Sequence, residues 1–238
     1  MRFSAPLLPG RLARRYKRFL ADIVLDDGEE IVAHCANPGS MLGVALPGAK
    51  VWVSQNDDPR RKLTYSWELV EIDGALVAVN TSNPNRIAAE AVQVGAIPEL
   101  AGYASLRREV RYGANSRIDL LLEDGKDGRP CYVEIKNVHL VRLAGLAEFP
   151  DSVTARGTKH LAELEAMVKA GFRAAMLFVV QRPDCKAFRP ASDIDPAYAE
   201  GLARAAAAGV ETLCYDCDVT TEAVTLRGPL PFSELSGR

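Results

Sequence analysis

The chain has 238 residues, of which 48% are hydrophobic and 25% are charged. These proportions are close to those of an average soluble globular protein, and the length suits one large domain or two small ones. A formal net charge of −2 excludes a global positive field of the kind that attracts nucleic acid, although basic residues cluster locally.

The cysteine count and the hydropathy pattern bear on the cellular compartment. There are five cysteines, at Cys35, Cys131, Cys185, Cys214 and Cys217. An odd count without regular spacing argues against a disulfide framework and favours a reducing compartment. Because no stretch has signal-peptide character or approaches the length of a membrane span, we expect a cytoplasmic protein with no membrane partner. The sequence carries no clear signal of oligomeric state.

The N-terminal segment is rich in basic and aromatic side chains. Residues 11–25 are predicted to form one long curved strand that returns as a hairpin through Asp26-Asp27-Gly28. Cations for phosphate and rings for stacking suit a nucleic-acid surface, and the alternative is a solvated strand face. The candidate contacts are Arg14, Arg15, Lys17 and Arg18 in this segment, together with Arg60, Arg61 and Lys62 further along.

Short strands continue through the first third of the chain. Strands are predicted over 49–54, 63–72 and 75–79, with a loop at Asn37-Pro38-Gly39-Ser40-Met41. Several short strands within about 80 residues fit a five-stranded OB-fold barrel, whose open face commonly binds oligonucleotides. A change of character at Asn83-Pro84-Asn85 predicts a boundary between a barrel at 1–83 and a second domain at 84–238.

The second domain alternates helices and strands. A helix is predicted over 86–92, with Asn85 as its N-cap, and Glu90 projects from it as a glutamate that needs no function. The nearly continuous apolar run 172–180 predicts a central strand that is covered on both faces. An alanine-rich helix over 195–208 and two further strands complete an α/β sandwich with a mixed sheet.

The segment from 116 to 136 reads as a hairpin with charges inside its apolar strands. Asp119 interrupts the first strand, and Glu134 and Lys136 share one face of the second. Two carboxylates from neighbouring strands can supply hard oxygen ligands to Mg²⁺ or Mn²⁺. A lysine beside them can orient a nucleophilic water or stabilise charge on a phosphate. The alternative is an ordinary exposed ion pair on a two-faced strand.

The loop that begins at Phe149 leads into an amphipathic helix. Arg156, Lys159 and His160 cluster near its start. Basic groups oppose the helix macrodipole there, whereas a phosphate would be bound by both the side chains and the helix end. The alternatives are a solubilising surface and, for His160, a structural histidine whose hydrogen bonds are satisfied.

The chain resembles the sugar fermentation stimulation protein A family over nearly its full length. The segments that carry the resemblance are Asn37-Pro38-Gly39-Ser40-Met41, Ser116-Arg117-Ile118-Asp119, Val133-Glu134-Ile135-Lys136, and Phe149-Pro150-Asp151 with Val153 through Leu161. The resemblance implies an N-terminal OB-fold-like β-barrel followed by an α/β nuclease-like domain of the PD-(D/E)xK type with a mixed sheet. It also implies DNA binding and a link to the regulation of sugar metabolism.

The resemblance assigns roles to particular residues. Asp119 matches the first-strand aspartate, and Glu134 with Lys136 matches the E-x-K of the next strand, although Ile118 stands where the pattern has proline. Glu90 matches the acid of the preceding helix and would join Asp119 and Glu134 as a ligand of Mg²⁺ or Mn²⁺. Arg156 and Lys159 would be helix-borne phosphate contacts.

Two functions follow as hypotheses. The first is a metal-dependent nuclease whose partner is nucleic acid, DNA rather than RNA. The second is a non-catalytic DNA-binding regulator of sugar metabolism genes that retains a nuclease-like fold. An enzyme acting on a small phosphorylated metabolite is a third class, which no feature of the sequence specifically favours.

Overall fold

Six N-terminal strands build a β-barrel in the computed structural model, which describes residues 1–113 and 116–233. They are β1 (Leu8–Tyr16), β2 (Leu20–Leu25), β3 (Glu30–His34), β4 (Lys50–Gln55), β5 (Tyr65–Ile72) and β6 (Ala75–Ala78). They are hydrogen-bonded in the order β3-β2-β1-β4-β5-β6, and pairing of β3 with β5 closes five of them into a barrel. Leu12, Ile23 and Trp67 fill its interior. The predicted OB-type barrel is confirmed.

The first barrel hairpin differs from the sequence prediction of one strand over 11–25. The chain reverses between β1 and β2, and Tyr16 lies opposite Leu20. Lys17 and Arg18 make this turn with φ values of 48° and 65°. Residues other than glycine rarely adopt positive φ, so lysine and arginine at these two positions gave no sign of a turn in the sequence. Two of the predicted nucleic-acid contacts therefore lie on a tight turn.

The rest of the chain is an α/β domain with two sheets. Its elements are α1 (Pro84–Gln93), β7 (Tyr103–Tyr112), β8 (Ser116–Gly125), β9 (Cys131–Val138), β10 (Leu140–Leu143), β11 (Leu146–Phe149), α2 (Ala155–Lys169), β12 (Arg173–Val180), β13 (Ala187–Pro190), α3 (Pro196–Ala207), β14 (Glu211–Val219) and β15 (Val224–Pro229). The larger sheet has the order β15-β14-β12-β9-β8-β7, and the smaller one the order β10-β11-β13. Since β12 runs parallel to β9 and β14 while the outer pairs are antiparallel, the predicted mixed sheet is confirmed.

Each face of the larger sheet carries its own hydrophobic core. Val133 and Ile135 of β9 pack in the core that also holds Ile87 of α1. On the other face, Phe178 of β12 packs in a core with Leu161 of α2. This alternation leaves Glu134 and Lys136 on the α2 side, as the period of two along a strand predicts.

The first turn of α1 differs from the prediction in its cap. Asn83, not Asn85, is the N-cap residue, and its side chain makes no capping hydrogen bond. Pro84 occupies the first helical position, where a missing N–H costs nothing. Asn85 therefore lies inside the helix, and its side chain is free to contact β8.

The two domains are joined by backbone contacts as well as by the chain itself. Ala78 N of β6 donates to Gln181 O, just beyond β12. At the N-terminus, Arg2 forms a bridge with Ala223, so the first residues lie on the α/β domain rather than on the barrel. Within the described residues, no helix combines the length and apolar character needed to cross a membrane.

Candidate active site

Asp119 lies where the hydrogen-bonded pairing of β8 with β9 ends. The hydrogen-bonded ladder between these strands ends at the pair Leu120–Val133, and Asp119 and Glu134 are the next residues along the two strands. There, Asp119 Oδ2 accepts from Ile135 N, and Asp119 Oδ1 accepts from Asn85 Nδ2, each at 2.7 Å. The carboxylate thus replaces a ladder hydrogen bond and links β8 to β9 and α1.

Glu134 is a buried acid with one oxygen bound and one free. Its side chain is 3% exposed. Oε1 accepts from Lys136 Nζ at 2.7 Å and is hydrogen-bonded to His160 Nδ1. Oε2 is buried and has no hydrogen-bond partner in the part of the chain that the structure describes. Buried polar atoms are usually satisfied, so an unpartnered carboxylate oxygen marks a place for a ligand.

His160 reaches Glu134 from α2. The helix begins at Ala155 because Thr154 caps it, with the Thr154 side chain accepting from Gly157 N at 3.0 Å. Arg156 Nε donates to His160 Nε2 at 3.3 Å, so a neutral ring carries its hydrogen on Nδ1 and donates it to Glu134. The sequence placed His160 in a basic cluster at the helix start, with a structural histidine as the alternative, and neither interpretation foresaw this contact with Glu134. In the sequence, Arg156 and His160 are one helical turn apart, and this spacing could have indicated that their side chains contact each other.

The two carboxyl groups have pKa values displaced in opposite directions. Burial, and next the charge of Glu134, raises the pKa of Asp119 to about 6. Burial opposes ionisation of Glu134 as well, but the hydrogen bond from His160 and the charge and hydrogen bond of Lys136 outweigh it and hold the pKa of Glu134 below its ordinary value. Paired acids whose environments separate their pKa values are typical of acid–base sites.

Glu90 is placed elsewhere by its own contacts. Its Oε2 lies 2.7 Å from the Met1 amino group and its Oε1 lies 3.1 Å from Arg86 Nε, which together lower its pKa. Asn85 is the α1 side chain bound to Asp119. Among the described residues, no group of three or more His, Cys, Asp or Glu side chains is arranged to hold a metal ion. The structure therefore does not bring Glu90 to Asp119 and Glu134.

Two further polar groups border the site and escaped sequence analysis. The hydroxyl of Tyr112 and Oε2 of Glu163 are buried without hydrogen-bond partners in the described chain. Burial, followed by the charges of Glu134 and Glu163, raises the pKa of Tyr112, so the phenol stays protonated. A protonated phenol is available as a hydrogen-bond donor.

The predicted nucleic-acid contacts of the first hairpin differ in their surroundings. Arg14 is paired with Asp22 at 2.7 Å. Arg15 donates to the carbonyl oxygens of Asn37, Gly39 and Ser40 and so holds a loop in place. Lys17 and Arg18 are exposed on the turn.

The remaining predicted contacts are on a barrel loop and on α2. Arg60 is paired with Asp58 at 2.8 Å, while Arg61 and Lys62 are exposed. Arg156 is tied to His160, and Lys159 Nζ lies 3.6 Å from Glu163 Oε1. Their roles in nucleic-acid binding stay predictions.

A pair of arginines near the site was not singled out in the sequence. Arg111 of β7 and Arg117 of β8 lie directly opposite each other, and both are exposed. Like charges in opposite positions destabilise a sheet, so their juxtaposition suits an anionic ligand better than stability. Arg117 is two residues from Asp119 along β8, which extends the basic surface toward the carboxylates.

Comparison with known proteins identifies the family. The family model described as the SfsA N-terminal OB domain matches residues 13–79. The model described as the sugar fermentation stimulation protein RE domain matches residues 82–223. The chain belongs to the sugar fermentation stimulation protein (SfsA) family.

Relatives in the SfsA family match along the whole chain. The sugar fermentation stimulation protein homolog of Rhodospirillum centenum is 60% identical over 98% of this chain and 100% of its own. That of Paramagnetospirillum magneticum is 59% identical over 97% of both chains. A solved structure, described as Pyrococcus furiosus SfsA in complex with Ca²⁺, superposes with a TM-score of 0.88, 28% identity and 98% coverage of each chain.

The SfsA site offers the ligand chemistry of a hard cation. Asp119 and Glu134 contribute carboxylate oxygens, and Oε2 of Glu134 has no protein partner among the described residues. Mg²⁺ is usually held by one or two protein carboxylates, with waters and substrate phosphates filling its remaining positions. Two acids are therefore a sufficient protein contribution for such an ion.

Proposed function

We propose that this SfsA-family protein is a divalent-metal-dependent phosphodiesterase that cleaves nucleic acid, DNA rather than RNA. The observation that carries the proposal is Glu134, a buried acid whose Oε2 has no hydrogen-bond partner among the described residues, next to Asp119 and Lys136. Burying an uncompensated carboxylate oxygen is costly, and a bound cation removes that cost. The Ca²⁺ named in the description of the Pyrococcus relative supports a divalent cation as a ligand of this fold.

The protein groups around the carboxylates have separate tasks. Asp119 and Glu134 would hold Mg²⁺ or Mn²⁺, which when bound would activate water and neutralise charge on a phosphate. Lys136, 2.7 Å from Glu134, can orient the attacking water or stabilise the developing charge. His160 fixes the orientation of Glu134 and is a positioning residue. Arg156 and Lys159, in the first turns of α2, are suited to contact phosphates beside the scissile one.

Calorimetric titration with Mn²⁺ tests the metal site. Wild type is compared with an Asp119→Asn, Glu134→Gln double variant. The matched control is Asp26→Asn, Glu30→Gln, which makes the same charge change at exposed barrel positions. We expect wild type and control to bind Mn²⁺ and the folded site variant to lose binding. Retention of binding by the site variant would place the metal elsewhere.

Cleavage assays with Mn²⁺ test the reaction itself. Labelled single- and double-stranded DNA and RNA are incubated with wild type and with Lys136→Met. We expect wild type to cut DNA and the variant to bind metal without cutting, because Lys136 acts on the water or the phosphate. If wild type leaves all four substrates intact while a control nuclease cuts them, the catalytic proposal fails.

A second candidate is a DNA-binding regulator of sugar metabolism genes that does not cleave. The exposed cations Arg61, Lys62, Arg111 and Arg117 favour it, because phosphate binding requires neither Asp119 nor Glu134. It predicts DNA affinity that falls steeply with salt and that survives Asp119→Asn, Glu134→Gln. For either function we propose a cytoplasmic location, since all five cysteines are unpaired and suit a reducing compartment.

A further inference from the structure

Glu109 of β7 lies opposite Asp119 on the neighbouring strand. The two strands pair in one register on either side of this position, which places residue 109 across from residue 119. Glu109 is exposed, and sequence analysis did not single it out. Like charges in opposite positions destabilise a sheet, so stability does not explain why two acids face each other here.

The backbone of Glu109 is left-handed in the middle of a strand. Its φ is 54°, and β7 continues beyond it to Tyr112. This conformation is disfavoured for any residue with a Cβ, whereas glycine adopts it readily. Residues held in it are concentrated at functional sites. The carboxylate of Glu109, rather than its backbone, is therefore the property that suits a glutamate to this position.

One amide group joins the carboxylates of Glu109 and Asp119. Asn85 Nδ2 donates to Asp119 Oδ1 at 2.7 Å and to Glu109 Oε1 at 3.3 Å. The two hydrogens of a single NH₂ group are thus shared between two acids. Neither carboxylate forms an ion pair with a cationic side chain in the described part of the chain. A neutral amide orders these oxygens but does not cancel their charge.

A third acid beside this pair has an oxygen without a partner. Glu134 and Asp119 are the first residues beyond the end of the ladder between β9 and β8. The Glu134 side chain is 3% exposed, and its Oε2 has no hydrogen-bond partner among the described residues. A cation bound by these acids would satisfy that oxygen and would offset the repulsion between the carboxylates.

Glu109 is the acid of this group that can move. The three carboxylates do not surround one point in the structure, because Asn85 Nδ2 lies between Asp119 and Glu109. Asp119 is held by two hydrogen bonds of 2.7 Å, whereas the single bond of Glu109 is long and exposed. Rotation of the Glu109 side chain away from Asn85 would bring its oxygens toward Asp119 without any change in the sheet.

We propose that Glu109 is a ligand of the divalent cation held by Asp119 and Glu134. It supplies from β7 the third acid that resemblance to the family had assigned to Glu90 of α1. The proposal rests on the proposed function and deepens it. A third carboxylate adds a hard oxygen ligand and a negative charge, and both raise the affinity for Mg²⁺ or Mn²⁺. The remaining coordination positions are left to waters and to a substrate phosphate.

Calorimetric titration with Mn²⁺ tests Glu109 through affinity rather than through activity. Glu109→Gly removes the carboxylate at a positive φ that glycine favours, so the fold is expected to persist. Asp124→Gly is the matched control, because it removes another exposed acid of the same sheet at φ 59°. We expect Glu109→Gly to bind Mn²⁺ at least about tenfold more weakly than wild type, and Asp124→Gly to bind it as wild type does.

A second substitution separates ligation from support of Asn85. Glu109→Gln keeps an oxygen that can accept from Asn85 but loses the charge, so we expect it to weaken Mn²⁺ binding as well. The titrations are made at about 1 M salt, where the Debye length is only about 3 Å and the field of an exposed charge is screened. Wild-type affinity in Glu109→Gln would show that Glu109 acts only by holding Asn85, and the proposal would be wrong.

The other outcomes separate this proposal from the proposed function. Wild-type affinity in both Glu109 variants would overturn the proposal and leave the metal site of Asp119 and Glu134 intact. Equal losses in Glu109→Gly and Asp124→Gly would also overturn it, because the effect would then not belong to position 109. Absence of Mn²⁺ binding by wild type would contradict the metal site itself, and the role of Glu109 with it.

Discussion

His160 of α2 donates its Nδ1 hydrogen to Oε1 of Glu134, while its other ring nitrogen accepts from Arg156. The same carboxylate oxygen also accepts from Lys136. A helix packed on the sheet thus holds the buried acid ionised and oriented, and leaves Oε2 available. The orientation of Glu134 depends on α2 as well as on its own strand.

Replacing His160 should alter the pH dependence of metal binding. In His160→Ala, Glu134 loses a hydrogen bond that lowers its pKa. Loss of Mn²⁺ affinity on acidification begins with protonation of Asp119 near pH 6, and a second, more acidic step follows when Glu134 is protonated. The midpoint of that second step should therefore move about one pH unit higher, the equivalent of roughly 1.4 kcal/mol. His160→Asn retains a donor and should move the midpoint less. Calorimetric titrations across pH measure the effect, and identical profiles in folded protein would exclude this positioning role.

Asp119 should destabilise the metal-free protein at neutral pH. Its native pKa of about 6 exceeds the ordinary value of 3.8, so the native state holds this proton more tightly than the unfolded chain does. The resulting stability is present below about pH 4 and is lost as the pH rises through about 6. Asp119→Asn never ionises, and Asn85 can rotate its amide to accept from it. We expect the variant to be about 3 kcal/mol more stable than wild type at pH 7, and about equal to it near pH 3.5.

Urea denaturation at the two pH values, with a chelator present, measures this difference. The Asp26→Asn variant is the control, because Asp26 is exposed on the barrel. A lower stability of Asp119→Asn at pH 7 would mean that its hydrogen bonds to Ile135 and Asn85 outweigh the burial of its charge.

The parts of the site that sequence analysis predicted are those that local periodicity determines. Alternation along β9 places Glu134 and Lys136 together and on the face opposite Val133 and Ile135, and the core contacts agree. The apolar run that forms β12 likewise follows from its composition. Asp119 stood out as a charge inside an apolar strand, and it lies next to Glu134 across the end of a ladder.

The parts that escaped prediction depend on contacts between distant segments. His160 meets Glu134 only because α2 packs on β9, 26 residues away along the chain. Glu90 is held by the Met1 amino group because the N-terminus returns to β15, an arrangement that no local pattern encodes. The turn at Lys17 escaped because it uses positive φ without glycine.

Substitutions at two arginines of the barrel should distinguish a structural role from a role in DNA binding. Arg15 donates to three loop carbonyls, so Arg15→Ala should lower the free energy of unfolding by about 1–3 kcal/mol. Arg61 is exposed, so Arg61→Ala should change stability by less than about 0.5 kcal/mol. We expect Arg61→Ala instead to weaken DNA binding and to flatten its salt dependence.

Urea denaturation and DNA titrations at several salt concentrations measure the two effects. Both variants are compared with wild type under conditions in which each is folded. If Arg61→Ala binds DNA with unchanged affinity and salt dependence, the basic loop at 60–62 is not part of the nucleic-acid surface.

The contact between Gly39 and Asp151 should tolerate no added methyl group. An alanine Cβ at position 39 would lie 2.6 Å from Asp151 Oδ2, the oxygen that accepts from Met41 N. The backbone of Gly39 does not need positive φ, so the cost of Gly39→Ala arises from this overlap and should be about 1–3 kcal/mol.

Gly228→Ala is the matched control, because its Cβ would meet nothing within 4 Å. Urea denaturation should show a loss for Gly39→Ala and a change below about 0.5 kcal/mol for Gly228→Ala. Equal stability of the two variants would show that the loop can move away from Asp151.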